Sequence, residues 1–152
     1  MVYKIMGILI ALGCVNFYMG KKVIIRPGIN KMDISVLIFA GALFILVSWL
    51  MKSDLRDSIV MTSSILFYIF SSRWARGITK NGINVIGTTY ILVREYDFDK
   101  INPIRVIKDG EYLEYPIKVK GKMSIDIQRY KIEMKSEIAS VFSKNKVIFT
   151  YK

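Results

Sequence analysis

Long apolar stretches occur three times in the first half of the chain, and they restrict the available folds more than any other feature. They cover residues 5–19, 34–51 and 58–72, none of which contains a charged residue. As a helix, residues 34–51 would extend about 27 Å, close to the thickness of the hydrocarbon core of a bilayer. The sequence therefore predicts an integral membrane protein.

The three stretches predict three membrane-spanning helices, at about residues 3–20, 34–51 and 56–73. Lys4 lies near the start of the first, where its side chain can extend to the lipid headgroups. The third stretch is the weakest, because serine and threonine lie at its middle and because it would reach only about 22 Å. An interfacial or re-entrant helix is the alternative for the third stretch.

Hydrophobic residues make up 53% of the chain and charged residues 23%, so the two kinds must occupy different parts of the molecule. Charged residues are sparse up to residue 75 and frequent after it. The predicted fold is therefore a helical bundle of three spans over residues 1–75, followed by a mainly-β domain with one short helix over residues 76–152.

The positions of lysine and arginine predict how the chain is oriented in the cell membrane. Basic residues follow the first apolar stretch and again the third, whereas segment 52–57 between the second and third is balanced in charge. Cytoplasmic segments of membrane proteins carry an excess of Lys and Arg. We therefore expect a multi-pass protein with its N-terminus outside and its C-terminal domain in the cytoplasm.

The chain has no histidine and one cysteine, Cys14, and this composition excludes several kinds of site. It leaves no imidazole base, no histidine metal site and no disulfide within one chain. No glycine-rich phosphate loop or nucleophile elbow is present either. We predict a protein that is not an enzyme and needs no cofactor or metal. Lipidation of Cys14 stays open, since Ala11-Leu12-Gly13-Cys14 resembles a degenerate lipoprotein cleavage site.

Small residues in the first two apolar stretches indicate where helices could approach closely. Gly7 and Ala11 are four residues apart on one helix, and Gly41 lies between two alanines on the next. Small residues allow helix backbones to come together in a membrane. Packing within one bundle is the first interpretation, and association with a second copy of the chain is the alternative.

Short β-prone segments separated by turn residues fill the second half. Asn81-Gly82 predicts a two-residue hairpin turn, residues 108–111 predict a second hairpin, and Gly121 predicts a third turn. The alternation of Met123, Ile125 and Ile127 is out of phase with that of residues 130, 132 and 134, which predicts a bulge or a bend between them. Residues 136–142 predict a short helix that begins at Ser136, among five to seven strands.

Three short motifs in this half resemble those of a known group of proteins. They are GITKNGI at 77–83, YILV at 90–93 and YDFDKI at 96–101. With the preceding apolar stretches, they are similar to small membrane proteins of low-GC Gram-positive bacteria whose soluble part resembles a pleckstrin-homology-like β domain. The resemblance covers the predicted spans and roughly residues 77–101, and a tryptophan often found before the Asp-Lys-Ile step is absent here. It implies a fold for the second half and no activity.

Carboxylates are densest at Glu95, Asp97 and Asp99, which would share one face of a strand opposite Tyr96 and Phe98. A solvated strand face explains this alternation better than a calcium or magnesium site, because no glycine-bearing calcium loop is present.

These patterns predict a membrane-anchored binding module whose cytoplasmic β domain contacts a protein partner or anionic lipid headgroups. The alternative is a membrane-embedded accessory protein of immunity, stress or transport that acts through its helix bundle. Membrane lipid is the expected partner of the basic residues, and no nucleic acid is expected. The residues predicted to contact lipid or a partner are Lys21, Lys22, Arg26, Arg73, Arg76, Lys118, Lys120 and Lys122.

Overall fold

The computed structural model of the chain describes residues 2–28, 31–50, 54–86, 92–123 and 125–151. Three long helices come first: α1 (Val2–Lys21), α2 (Lys31–Leu50) and α3 (Leu55–Trp74). A short helix α4 (Lys135–Lys144) lies near the C-terminus. The strands are β1 (Val23–Ile25), β2 (Gly77–Thr79), β3 (Gly82–Ile86), β4 (Val93–Asp97), β5 (Ile104–Asp109), β6 (Tyr112–Lys118), β7 (Ile125–Lys131) and β8 (Phe149–Tyr151).

Helix α3 packs against both α1 and α2. It runs in the same direction as α1, since Tyr3 donates a hydrogen bond to Asp57 at one end and Gly20 meets Trp74 at the other. Many side chains of α1 that point away from α3 are apolar and exposed, among them Ile5, Ile8, Ile10 and Val15. Such a surface is costly in water and suits lipid.

The prediction of a bundle of three spans is wrong. Among the described residues, α1 alone provides a helix long and apolar enough to cross a membrane, over Tyr3–Lys21, and α2 provides a shorter apolar stretch, Ile34–Leu46. Helix α3 has hydroxyl side chains at its middle and charged residues in its first and last turns, including Asp57 and Arg73, which lower its hydropathy. An uncharged stretch is therefore not by itself apolar enough to be a span.

Glycine allows α1 and α3 to pack closely. An added Cβ at Gly13 would lie 2.4 Å from a ring carbon of Phe67, and one at Gly20 would lie 2.7 Å from the Trp74 indole. Phe17 fills the space between them, with ring centroids 5.9 Å from both Phe67 and Trp74. The aromatic rings thus lie directly on the backbone of α1, which the two glycines leave uncovered.

The described residues of the β domain form two four-stranded sheets, in the orders β1-β2-β3-β4 and β7-β6-β5-β8. Strand β1 follows α1 directly and pairs antiparallel with β2, which follows α3. The β domain therefore begins before residue 76, and the basic segments after α1 and after α3 lie together at the same end of the helices. One core serves both sheets and α4, with Ile83, Tyr115 and Phe142 fully buried in it.

The hairpins form where the turn residues predict them, with one shift. Strands β5 and β6 are joined by a turn at Gly110, whose φ of +60° a glycine adopts without strain. Gly121 lies in the turn between β6 and β7. Between β2 and β3 the turn lies at Lys80-Asn81, one residue before the predicted position, because the Thr79 hydroxyl accepts hydrogen bonds from the Asn81 and Gly82 amides.

The predicted short helix is present as α4, and Ile138 and Phe142 on it are buried. It begins at Lys135 with Met134 as its N-cap, so the predicted start at Ser136 is wrong. No bulge or bend separates Ile127 from Tyr130, so that prediction is also wrong. Strand β7 pairs with β6 in one register along its whole length, with Ile125 and Ile127 on its exposed side and Tyr130 on its buried side. The chain leaves the strand only at a 3-10 turn over Ile132–Met134.

Replacing Gly13 by alanine tests the contact between α1 and α3. The added methyl group must displace the Phe67 ring and its stacking on Phe17, and overpacking of this kind costs about 1–3 kcal/mol. Gly7→Ala is the matched control, since nothing lies within 4 Å of its added Cβ. Thermal unfolding in a neutral detergent should show a lower Tm for Gly13→Ala only; equal Tm values for the two variants would contradict the packing.

Candidate functional site between the helices and the sheets

A pocket of about 340 Å³ opens where α2 and α3 meet the segment after β1. Three of its lining residues are arginines: Arg26, Arg73 and Arg76. The remaining wall is largely apolar and is formed by Pro27, Gly28, Ile34, Leu37, Phe70 and Trp74. The pocket therefore combines positive charge with an apolar lining.

Arg26 lies between the C-terminal ends of two helices. Its guanidinium lies 3.8 Å from the centre of the Trp74 ring and donates hydrogen bonds to the carbonyls of Trp74, at 2.9 Å, and Gly20, at 2.8 Å. A positive charge is favourable there, because unpaired carbonyls give helix C-termini a partial negative charge. Burial lowers the pKa of Arg26, but arginine stays protonated at physiological pH. Among the described residues, no carboxylate forms an ion pair with it.

Arg76 follows α3 and forms a buried ion pair with Asp126 of β7. Its Nη2 lies 2.7 Å from Asp126 Oδ1 and its Nε lies 3.3 Å from Oδ2. Both residues are less than a tenth exposed. Arg76 also donates to the Ile127 carbonyl, so its guanidinium connects the end of α3 to β7 through a side chain and through the backbone.

Buried amides extend this ion pair into a network. The side-chain amide of Gln128 donates to Asp126 at 3.0 Å and to the backbone carbonyl of Asn84 at 2.8 Å. The side-chain carbonyl of Gln128 accepts from the Tyr130 hydroxyl at 2.6 Å. The Ile86 amide also donates to Asp126. Burial raises the pKa of Tyr130 well above its usual value, so the hydroxyl remains a donor at neutral pH.

Asn84 connects the network to the helices. Its side-chain amide donates to the carbonyl of Ala75, at 2.8 Å, and to that of Met19, at 3.2 Å. In α1, the fully buried Asn16 accepts a hydrogen bond from the Val93 amide of β4. The ends of α1 and α3 are thereby attached to β3, β4 and β7 by side-chain hydrogen bonds, and not only by the covalent chain.

The structure brings three of the eight predicted contact residues together in the pocket. Lys21 and Lys22 are exposed at the end of α1, where Lys22 lies 3.8 Å from Glu95. Lys118, Lys120 and Lys122 are exposed elsewhere on the β domain, at the end of β6 and in the turn after it. The positive φ of Gly121 breaks the strand, so Lys122 does not continue the face of Lys118 and Lys120.

The predicted helix-packing residues lie in different surroundings. Gly7 and Ala11 are exposed and lie away from α3. Gly41 lies next to Leu66 of α3, since a Cβ added at Gly41 would be at ordinary contact distance from the Leu66 side chain.

Sequence reasoning missed the residues of the β domain that hold the ends of the helices. Local patterns do not identify Asp126 and Asn84, because Arg76, which pairs with Asp126, lies 50 residues away and Met19, whose carbonyl accepts from Asn84, lies 65 residues away. Gln128 links the two by donating to Asp126 and to the backbone carbonyl of Asn84. One signal was available, because the polar residues at 126 and 128 alternate with isoleucines at 125 and 127. This alternation fits a strand with its polar side buried and equally a strand with its apolar side buried.

Carboxylates form no candidate metal site in the described part of the chain, which also contains no other cluster of potential metal ligands. Glu95 accepts a hydrogen bond from Thr79, Asp97 forms an exposed ion pair with Lys100, and Asp99 lies beyond the end of β4 in a 3-10 turn. The three therefore do not share one strand face.

The arrangement suits an amphipathic anion better than a small polar one. Guanidinium groups match phosphate oxygens in geometry and charge, and an apolar wall accommodates a hydrocarbon chain. Comparison of the chain with protein families, curated proteins and solved structures finds no match. The resemblance to pleckstrin-homology-like membrane proteins therefore stays a prediction; residues 87–91, which include part of its YILV motif, lie outside the described residues.

Proposed function

We propose that the protein is a membrane-anchored binding module that recognises an anionic lipid through the arginine-lined pocket between its helices and its sheets. Helix α1 is the anchor, since it is long and apolar enough to cross a membrane. The observation that carries the proposal is the convergence of Arg26, Arg73 and Arg76 on one apolar pocket at the end of that helix.

The position of the pocket supports a membrane lipid as its ligand. Gly20, in the last turn of α1, contacts Trp74, and Trp74 lines the pocket. Tryptophan at such a level is typical of the boundary between lipid and water. A lipid there could direct its phosphate to the guanidinium groups and its acyl chain along Ile34 and Phe70.

The charge of the pocket supports an anionic ligand, and its largely apolar wall supports a lipid over a free inorganic anion. Arg26 keeps its positive charge without a carboxylate partner among the described residues, whereas Asp126 compensates Arg76. Partial desolvation strengthens the attraction of an anion to such a charge. The role proposed here is binding rather than catalysis, as the lack of an imidazole base also favours.

The basic residues near the helix ends also support an orientation for the β domain. Since β1 and β2 pair, the basic segments after α1 and after α3 are at one end of the helices. Lysine and arginine are retained on the cytoplasmic side. We propose that α1 enters with its N-terminus outside the cell membrane and that the β domain is cytoplasmic.

Lipid selectivity of the full-length protein tests the pocket. In a neutral detergent, short-chain phosphatidylglycerol should raise the Tm, because a ligand that binds only the folded state stabilises it, and short-chain phosphatidylcholine should not. Arg73→Gln and Arg26→Gln should each weaken phosphatidylglycerol binding by about tenfold or more, the cost of about one charged hydrogen bond.

Lys80→Gln is the matched control for charge, because Lys80 is exposed in the turn between β2 and β3. Arg26 also caps two helices, so Arg73→Gln carries the test if Arg26→Gln does not fold. Equal stabilisation by the two lipids, or an equal loss of binding in Lys80→Gln, would remove the pocket from consideration.

Cysteine labelling in intact cells tests the orientation. With Cys14 replaced by serine, Asn145→Cys places a single thiol at the end of α4 in the β domain. A membrane-impermeant maleimide should label this position only after the cells are permeabilised. Labelling without permeabilisation would place the β domain outside the cell.

A further inference from the structure

Strand β7 carries apolar residues on its outward side and polar residues on its inward side. Met123, just before the strand, is 95% exposed, and Ile125 and Ile127 are 55% and 52% exposed. The alternating residues Asp126 and Gln128 are buried in the network described above. A half-buried strand usually has apolar residues on its inward side and polar residues on its outward side, so β7 shows the reverse. Exposure of this apolar row to water is unfavourable, and such rows mark surfaces that contact lipid or protein.

Two lysines lie next to this apolar row. Lys118 lies directly across from Ile125 on the neighbouring strand, and Lys122 precedes Met123. Both are exposed, and within the described residues neither forms an ion pair with a carboxylate. The surface is therefore apolar and positively charged, which is complementary to a layer of anionic headgroups above hydrocarbon.

The free edge of β7 faces the ends of the helices. Along this edge, the Ile127 carbonyl accepts from Arg76 and the Arg129 carbonyl accepts from the Gly28 amide at 2.8 Å. Arg76 is two residues beyond the end of α3, and the end of α3 is level with the last turn of α1. Strand β7 is thus attached directly to the segments next to the C-terminal ends of α1 and α3.

We propose that the outward row of β7 rests in the headgroup region of an anionic bilayer, with Met123, Ile125 and Ile127 inserted and Lys118 and Lys122 facing lipid phosphates. The contact rests on the proposed anchoring of α1 in a membrane. It does not depend on the arginine-lined pocket, which uses other residues.

Quenching by spin-labelled lipid tests this contact in the full-length protein. In a Cys14→Ser background, Met123→Cys and Ile127→Cys would each carry an environment-sensitive fluorophore, and the protein would be reconstituted in vesicles of phosphatidylglycerol and phosphatidylcholine. Lipids with a nitroxide near the headgroup should quench both fluorophores. Vesicles of phosphatidylcholine alone should give weaker quenching, because the lysines then lack anionic partners.

Ile148→Cys is the matched control, since Ile148 is 67% exposed and lies beside β8, at the opposite edge of the same sheet. Its fluorophore should keep its intensity. Equal quenching at Ile148 and Ile127, or no quenching at either β7 position, would overturn the proposal. So would blue-shifted emission at Ile127 without lipid quenching, which would mean that protein covers the row. Loss of lipid selectivity at the pocket leaves these readings unchanged, so the two proposals fail separately.

Discussion

The buried ion pair between Arg76 and Asp126 is the interaction on which the architecture depends, because it joins the segment just after α3 to strand β7. Removing two charges from water costs several kcal/mol per ion, and their attraction offsets that cost only if the remaining polar atoms are also satisfied. The protein meets this condition: Gln128 and the Ile86 amide donate to Asp126, and Arg76 also donates to the Ile127 carbonyl. Loss of one partner would leave the other charge buried alone, which costs about 3–5 kcal/mol.

This pair determines where the other features of the junction lie. Holding Arg76 against β7 brings the edge of the sheet to the helix ends, and Asn84 attaches the carbonyls of Met19 and Ala75 to β3. Arg26 then lies over Trp74 and caps the same two helices. The pocket, strand β7 and the end of helix α1 are consequently parts of one junction.

Local patterns in the sequence were sufficient for the parts of the fold that depend on neighbouring residues. Gly110 places its turn correctly because the required φ is a property of the residue, and Ile138 and Phe142 mark the buried face of α4 because helical spacing is local. Counting uncharged residues overestimated the number of spans, since hydroxyl side chains lower the hydropathy of α3 without interrupting it. The turn after β2 moved by one residue because the Thr79 hydroxyl, and not Asn81-Gly82, organises it.

The candidate site was predictable only in part, for a physical reason. Basic residues near helix ends could be recognised from their position, so Arg26, Arg73 and Arg76 were among the eight residues predicted to contact lipid or a partner, but the sequence did not separate these three from the five lysines. Burial of Arg76 depends on Asp126, which lies fifty residues further along the chain. The alternation of apolar and polar residues in β7 does not indicate which side of the strand is buried. Long-range pairing therefore decides that Arg76 is a structural cation and that the isoleucines of β7 face outward.

Distance measurement across the junction tests the central claim, that buried polar contacts hold the helices and the β domain as one body. Spin labels would be attached at Tyr18→Cys on α1 and at Asn145→Cys after α4, in a Cys14→Ser background. The distance between the two labels would be measured by double electron–electron resonance in lipid vesicles. One narrow distance distribution is expected, which should broaden when Asp126→Asn is added and stay narrow with Asp97→Asn, whose ion pair is exposed. A broad distribution in the chain that retains Asp126, as expected for a domain on a flexible tether, would contradict this claim.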